Sequence, residues 1–559
     1  MASDYPKRLI LITVFLSLIP LSAAQHLPQV SNNFLSTFWQ KNITPKNPPN
    51  NSVNIPTPSP SPSKPPKPPL PTYKNFDIVI YGDELQGICA AIWAKKTLGT
   101  TGKVVLIRSN SDPQPLGGLL TRGGLAYLDY DKTPGWQNQP YSQCFRNFLK
   151  KAKVVEACVT PDLAAKAMKE MLEAAGIMVI SNASITPYVE NKKIKFVQIN
   201  DTNIRVKASA FIDTTQDAEL ARKAGVPYSL GFASQNHKLQ NETIATSIVP
   251  TVTGLSIYDF QKLELKILYN QQLMAKIKTK IQSEQAPLYA KFTLAQFKLP
   301  IIKTYQDGYI NRSIALAGAY HLHRKHSFNL GFSSRFLFDK LNICRLGKRS
   351  LSLNGFLFKY DSKKVRQIEL NNFQPTQEMI KEMKELEAWL RKISGKDVKV
   401  VIPSEVYIRH SLNITDVVDP LTGKEIIKGG TSAENSIGTF SYEFDFRGGV
   451  KDLGINSLPL PRYNFAIESA LAKNVNNLAI VGRSSGYLGI AVAVSRIQTI
   501  SIYQGQAIGV AAAMANQKSI PLNKMTSAEV RKKLESLTGR KTKLRGINRT
   551  GNRDYSHVK

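Results

Sequence analysis

The stretch FDIVIYGDELQGICAAIWAKKTLGTTGKVVLIRSNSDPQPLGGLLTRGG, Phe76 to Gly124, decides the fold. Ile78-Val79-Ile80 is a short apolar run of β-branched residues, which reads as a buried strand. Gly82 stops it. Gly87 opens a run with small residues on one face, Cys89-Ala90-Ala91 and Ala94, the pattern of a helix packed closely on a sheet. Val104 to Ile107 is a second apolar run, placed where the next parallel strand belongs. The unit is strand-turn-helix-strand, with glycines at the first and third positions of the dinucleotide fingerprint. Gly82 permits the tight turn and Gly87 lets helix and strand approach. The helix N-terminus then offers free N–H groups and a positive dipole end to a pyrophosphate. Two positions depart from that pattern. The middle glycine is Glu84, and the acidic residue expected after the second strand is Arg108, which cannot accept a hydrogen bond from a ribose.

Further text qualifies the reading. Leu116 to Gly124 reads LGGLLTRGG, and with Tyr81-Gly82 it resembles the FAD-dependent oxidoreductases of the glutathione-reductase-like fold. A second segment, Phe211-Ile212-Asp213-Thr214-Thr215-Gln216-Asp217-Ala218-Glu219-Leu220, resembles that family's D-A-T-G-D-x-D-L signature, with Gln216 in place of a glycine. A third, Asn477 to Arg483 followed by Gly505-Gln506-Ala507-Ile508-Gly509, is similar to its N-L-x-x-x-G-R and G-Q-A-x-G text. The resemblance implies an α/β protein. Its FAD-binding, Rossmann-like domain would be discontinuous, residues 73–230 and 451–538, with an inserted α+β substrate domain at 231–450. It implies that FAD is held by Gly82, Glu84, Leu85, Gln86, Gly87, Arg108, Gly117, Gly118, Thr121, Asp217, Gly482 and Arg483. It also implies hydride transfer from an organic substrate to the flavin, which an unidentified electron acceptor reoxidises. Tyr407 to Ser411 resembles a Y-I-R-x-S segment, which makes Arg409 a holder of an anionic substrate and His410 a proton carrier. A second idea is that Glu84 and Arg108 pair with each other and fill the adenosine site. The fold would then serve as a cell-surface binding module without cofactor.

Outside these segments the chain is read from pattern. Residues 1–24 have the parts of a signal peptide: Lys7-Arg8, the apolar Leu9 to Leu21, and Ser22-Ala23-Ala24. Export to a periplasmic or extracellular space follows, with an uncleaved membrane anchor as the alternative. Residues 25–72 are a proline-rich spacer of polyproline II character. Helical spacing marks Pro161 to Ala175, Gln261 to Lys280 and Thr376 to Ile393. Ile177 to Ile180 reads as a buried strand, Ile194 to Ile199 with Ile204 to Ala208 as a strand pair, and Leu351 to Phe358 as another strand.

The 559 residues carry 74 Lys+Arg against 41 Asp+Glu, a net charge of +33. That favours an anionic membrane surface or polysaccharide as a partner. Nucleic acid is the poorest match, because no helix or aromatic platform for it stands out. The last basic stretch, residues 539–559, reads as a disordered tail. No metal site is expected: His321, His323 and His326 stand with Arg324 and Lys325 as a solvated basic patch. Among the four cysteines, Cys144 with Cys158 is the expected disulfide, and Cys89 packs in the core.

Overall fold

The structure, a computed structural model, describes residues 71–130, 139–297, 308–310, 313–330, 335–450 and 458–550. The signal peptide, the spacer up to residue 70 and residues 551–559 of the tail lie outside the described residues.

Five parallel strands form the first sheet. They are β1 (Ile78–Tyr81), β2 (Val104–Ile107), β3 (Met178–Ile180), β4 (Ala210–Asp213) and β5 (Leu478–Ile480), in the spatial order β5-β4-β1-β2-β3. Tyr81 stands beside Ile107 on one side and Asp213 on the other, so β1, β2 and β4 end level with one another. All residues of β1, β2 and β4 are buried, as strands covered on both faces must be. β3 corrects the expectation of a fourth buried strand. It is the sheet's edge, with Met178 53% exposed, and no strand pairs beyond it among the described residues.

Helix α1 (Leu85–Leu98) covers the sheet and packs against α4 (Gln498–Lys518). The small residues of both helices have one cause. A Cβ at Gly505 would lie 2.3 Å from the Gln86 carbonyl oxygen, and one at Gly509 would lie 2.2 Å from that of Ala90. The backbones meet where no side chain fits. Two shorter helices, α2 (Gln143–Lys151) and α3 (Pro161–Ala174), join the same core, capped by Ser142 and Thr160.

Between β4 and β5 the chain builds a second body. Its antiparallel sheet runs in the order Gly308–Ile310, Phe336–Gly347, Ser350–Phe358, Thr251–Thr253, Lys399–Val401. The span 261–280 is two helices rather than one, Ile257–Leu268 and Gln271–Glu284, because Asn270 breaks the run and caps the second. This body's core draws on Ile248 to Ile408. Leu421, Ile426, Ile437 and Phe440 return to the first core, so the inserted body is shorter than 231–450.

Three further expectations are corrected. Cys89 pairs with Cys144, and Cys158 pairs with Cys344 across 186 residues of sequence. Sequence nearness between Cys144 and Cys158 is overridden by α1 lying against α2 and by the inserted sheet lying against the loop that carries Cys158. The tail is seated as far as Thr550: the Arg545, Gly546, Ile547 and Arg549 N–H groups bond to Thr439, Asn464, Arg462 and Ile427. Its basic side chains suggested disorder, but its backbone finds partners on the body.

Of the three histidines only His323 is exposed as expected. His321 is fully buried, and its Nε2 accepts from the Phe338 N–H at 2.9 Å. His326 and Arg324 instead face the Glu382 carboxylate. Burial pushes His321 down to about 3 from its ordinary value near 6.5. The folded chain therefore holds it neutral while the unfolded chain protonates it below pH 6.5. Its stabilisation is complete above pH 6.5 and is lost as pH falls, at about 1.4 kcal/mol per pH unit. His321→Gln keeps an acceptor for Phe338 but does not titrate. Urea midpoints at pH 6 and pH 5 should fall further for the wild type than for this variant; equal falls would contradict the assignment.

Candidate functional site

The level ends of β1, β2 and β4 form a crevice, the place where parallel α/β sheets bind ligands. Gly82 turns the chain there at φ +112°, its N–H bonded to the Ile107 carbonyl at 2.9 Å. A Cβ at that position would lie within 2.8 Å of Thr214. The chain then passes Asp83 and Glu84 and enters α1.

Glu84 is buried at the N-cap of α1 and does not cap it. Its carboxylate accepts from Arg483 Nη2 at 3.0 and 3.1 Å, from Gln86 Nε2 at 2.7 Å and from the Leu119 N–H at 3.3 Å. The Glu84–Arg108 pair of the alternative idea does not form. Arg108 is 2% exposed and points elsewhere: to Asp83 at 3.3 Å, Asp112 at 2.6 Å, Ser181 at 3.0 Å and the Gln114 carbonyl at 2.9 Å.

The LGGLLTRGG segment runs beside this turn. A Cβ on Gly118 would strike the Glu84 side chain at 2.7 Å, while one on Gly117 would strike Met168. Thr121 Oγ1 donates to the Leu116 carbonyl at 2.7 Å and so closes its own loop. Next to it stands Arg122, which sequence reading passed over. Its Nη1 and Nη2 hold both oxygens of Asp83 at 2.8 and 2.9 Å, and its Nε holds Glu405 at 2.5 Å. Burial opposes the Arg122 charge, yet Asp83 and Glu405 outweigh it and raise the guanidinium above its ordinary range. Glu405 is itself raised, mainly by burial, with Arg122 acting against the shift. Asp83 and Arg122 sit inside recognisable motif text and could have been found there. Glu405 lies 283 residues from its partner and has no local signal.

From the second segment, Asp217 ion-pairs with Arg222 and with Arg366 at 2.9 Å. Gln216 donates to Glu405 at 3.3 Å, and its Oε1 is buried with no partner. Asp213, at the end of β4, is pushed up to about 7 by burial, against the pull of the Ala221 and Thr215 donors. From the third segment, Gly482 adopts φ +123° beside Gln86, and Arg483 reaches Glu84. Leu85 is buried in the core beneath the turn.

Arg409 and His410 lie outside the crevice lining. Arg409 Nη1 donates to the Ala245 carbonyl at 2.8 Å and Ser247 Oγ at 2.7 Å, its guanidinium over the Tyr407 ring. Burial lowers it to about 10. His410 packs on Phe232, is pushed down to about 4 by burial, and donates from Nε2 to Asn413 Oδ1 at 2.8 Å. Asn413 Nδ2 donates in turn to the Arg483 and Ser485 carbonyls, which fixes its amide and so the histidine tautomer. The pair supports Arg483 from behind.

What remains open in the crevice is about 60 Å³, lined by Gly82, Glu84, Arg108, Arg122, Gln216 and Glu405 among others. Ligand sites of drug-sized molecules usually run to about 300–1,000 Å³. The backbone cradle fits a dinucleotide: the Gly82 turn, the start of α1 and Gly118 are in place. In this arrangement the Glu84 side chain occupies that cradle, held by Arg483, Gln86 and the Leu119 N–H.

A parallel sheet with this turn at its centre defines a dinucleotide-fold α/β protein. The family model described as FAD dependent oxidoreductase matches residues 77–534, and the chain belongs to that family. FAD is the cofactor that membership assigns. No curated protein matches the sequence. Among solved structures the chain is similar to the flavin-dependent brominase Bmp2, at 10% identity and a TM-score of 0.36, over 83% of this chain and 84% of that one. It is also similar to the myxobacterial chondrochloren halogenase CndH, at 9% identity and 0.37, over 83% and 78%. A third is OxyS anhydrotetracycline hydroxylase from Streptomyces rimosus, at 8% and 0.34, over 83% and 65%.

Proposed function

We propose that the chain is an exported FAD-dependent oxidoreductase acting on a small organic substrate. The family match from residue 77 to 534 carries this reading, because it spans the first two segments, which line the crevice, and the third, which reaches it through the Arg483–Glu84 pair. Bound FAD supplies a two-electron acceptor for a hydride from the substrate. The chain's own part would be to hold and shield it: the Gly82 turn and the start of α1 would take the phosphates, and His410, through Asn413, steadies the Arg483 loop. Pairing of all four cysteines supports an oxidising compartment, periplasmic or extracellular. The net charge of +33 supports contact with an anionic surface or polysaccharide.

A second reading is favoured by one observation, the internal ion pairs that fill the crevice. In it the fold is a binding module without cofactor. The visible absorption spectrum of the signal-free protein, before and after FAD is added, separates the two. Flavin bands that stay with the protein through gel filtration are expected. A colourless protein that takes up no FAD would leave the second reading in its place.

A further inference from the structure

The geometry points to Glu84 as an internal stand-in for the cofactor's pyrophosphate, a latch that FAD must displace to bind. This rests on the FAD reading above and adds to it how the site is guarded.

The residue between the two fingerprint glycines is normally without a side chain, because the phosphates come close to the backbone there. Here it carries a carboxylate. That carboxylate does not point to water. It is 6% exposed and lies between the start of α1 and the second glycine segment. Its donors come from three separate parts of the chain: the Gln86 amide from the first segment, the Leu119 N–H from the second, and the Arg483 guanidinium from the third. These segments meet only because the fold brings them together around Glu84, which itself lines the crevice. An anion held by a guanidinium, an amide and a backbone N–H is held as a phosphate would be.

The close fit of Gly118 makes the seat specific. Any side chain there would collide with Glu84, at 2.7 Å from Cγ and 2.8 Å from Oε1. Glycine at 118 thus accommodates Glu84 as well as any ligand. Arg483 has one further acceptor, the Ile408 carbonyl, so it stays anchored if Glu84 swings away. Gln216 is 92% buried and lines the cavity beside Glu84, and its Oε1 has no partner among the described residues. Two negative groups cannot share one set of donors, so Glu84 and a pyrophosphate exclude each other.

The test measures FAD and ADP affinity of the full chain without its signal segment, by calorimetry and by FAD fluorescence, for the wild type, Glu84→Gly and Glu84→Gln. ADP carries the pyrophosphate without the flavin. Both variants should bind FAD and ADP at least tenfold more tightly than the wild type. Without ligand both should melt at lower temperature, because Arg483 has lost its counter-ion, and FAD should restore the difference. Glu84→Gln is nearly isosteric and guards against a Glu84→Gly chain that folds poorly. Equal, tight FAD binding by all three proteins would overturn the latch and leave the oxidoreductase reading standing. No FAD or ADP binding by any of them would overturn both.

Discussion

Arg122→Met should destabilise the folded chain by about 3–5 kcal/mol at neutral pH, the cost of leaving buried charge without its partner. The guanidinium is 5% exposed and holds two carboxylates from different parts of the molecule. Asp83 belongs to the β1–α1 turn, and Glu405 to the segment that leads back from the inserted body. Without Arg122, Asp83 keeps only Arg108 at 3.3 Å, and Glu405 keeps only the Gln216 amide. Glu405 is already raised by burial, and Arg122 is what restrains the shift. Its removal should raise the carboxyl further. A carboxyl raised in the folded state gives its full stability below its unfolded value and loses it as pH climbs through the folded value. The deficit of Arg122→Met should therefore shrink toward acid pH. Adding Glu405→Gln should recover part of it at neutral pH, since an amide needs no counter-ion. Urea unfolding of the two single variants, the double variant and the wild type at pH 5 and pH 7.5 measures this. A deficit that is the same at both pH values, with no recovery in the double variant, would mean that Arg122 acts by packing alone.

That network shows where the sequence was legible and where it was not. The parallel sheet could be read because its strands are continuous apolar runs, covered on both faces, and because glycines mark the points where backbones touch. Gly82 and the pair Gly505 and Gly509 are visible as residue types. The same local grammar placed Glu84 and Arg108 as departures. It could not say where their side chains turn. One idea was that they pair with each other, whereas Arg483, 399 residues away, takes Glu84, and Asp83 with Asp112 takes Arg108. Long-range ion pairs leave no periodic trace, so their partners follow from the fold and not from spacing. His321 failed for a related reason. Its neighbours Arg324 and Lys325 are basic, but the helix Ala315–Arg324 turns His321 inward, Arg324 pairs with Glu382, and only Lys325 of the three is exposed.

Reduction of the Cys158–Cys344 disulfide should be the other large loss, greater than that of Cys89–Cys144. In the chain-entropy account a crosslink stabilises by limiting the unfolded ensemble, more so for a longer loop. The loops here span 186 and 55 residues, which gives about 5 and about 4 kcal/mol. The longer one has a second consequence. Cys344 sits in the long strand Phe336–Gly347 of the inserted sheet, and Cys158 in the segment that pairs with Tyr127 beside the first core. The bond ties the two bodies together, while Cys89–Cys144 only ties α1 to α2 within one. Cys344→Ala should therefore lower the melting temperature more than Cys144→Ala, and should open the inserted body to limited proteolysis. Both bonds are buried, with Cys344 fully enclosed. Thiol release by dithiothreitol should thus be slow in buffer and fast in urea, reaching four thiols per chain in each case. A fully reduced protein that melts at the same temperature as the oxidised one would refute the clamp. If Cys144→Ala proved the more damaging variant, the packing of α1 on α2, rather than the joining of the bodies, would be what the disulfides protect.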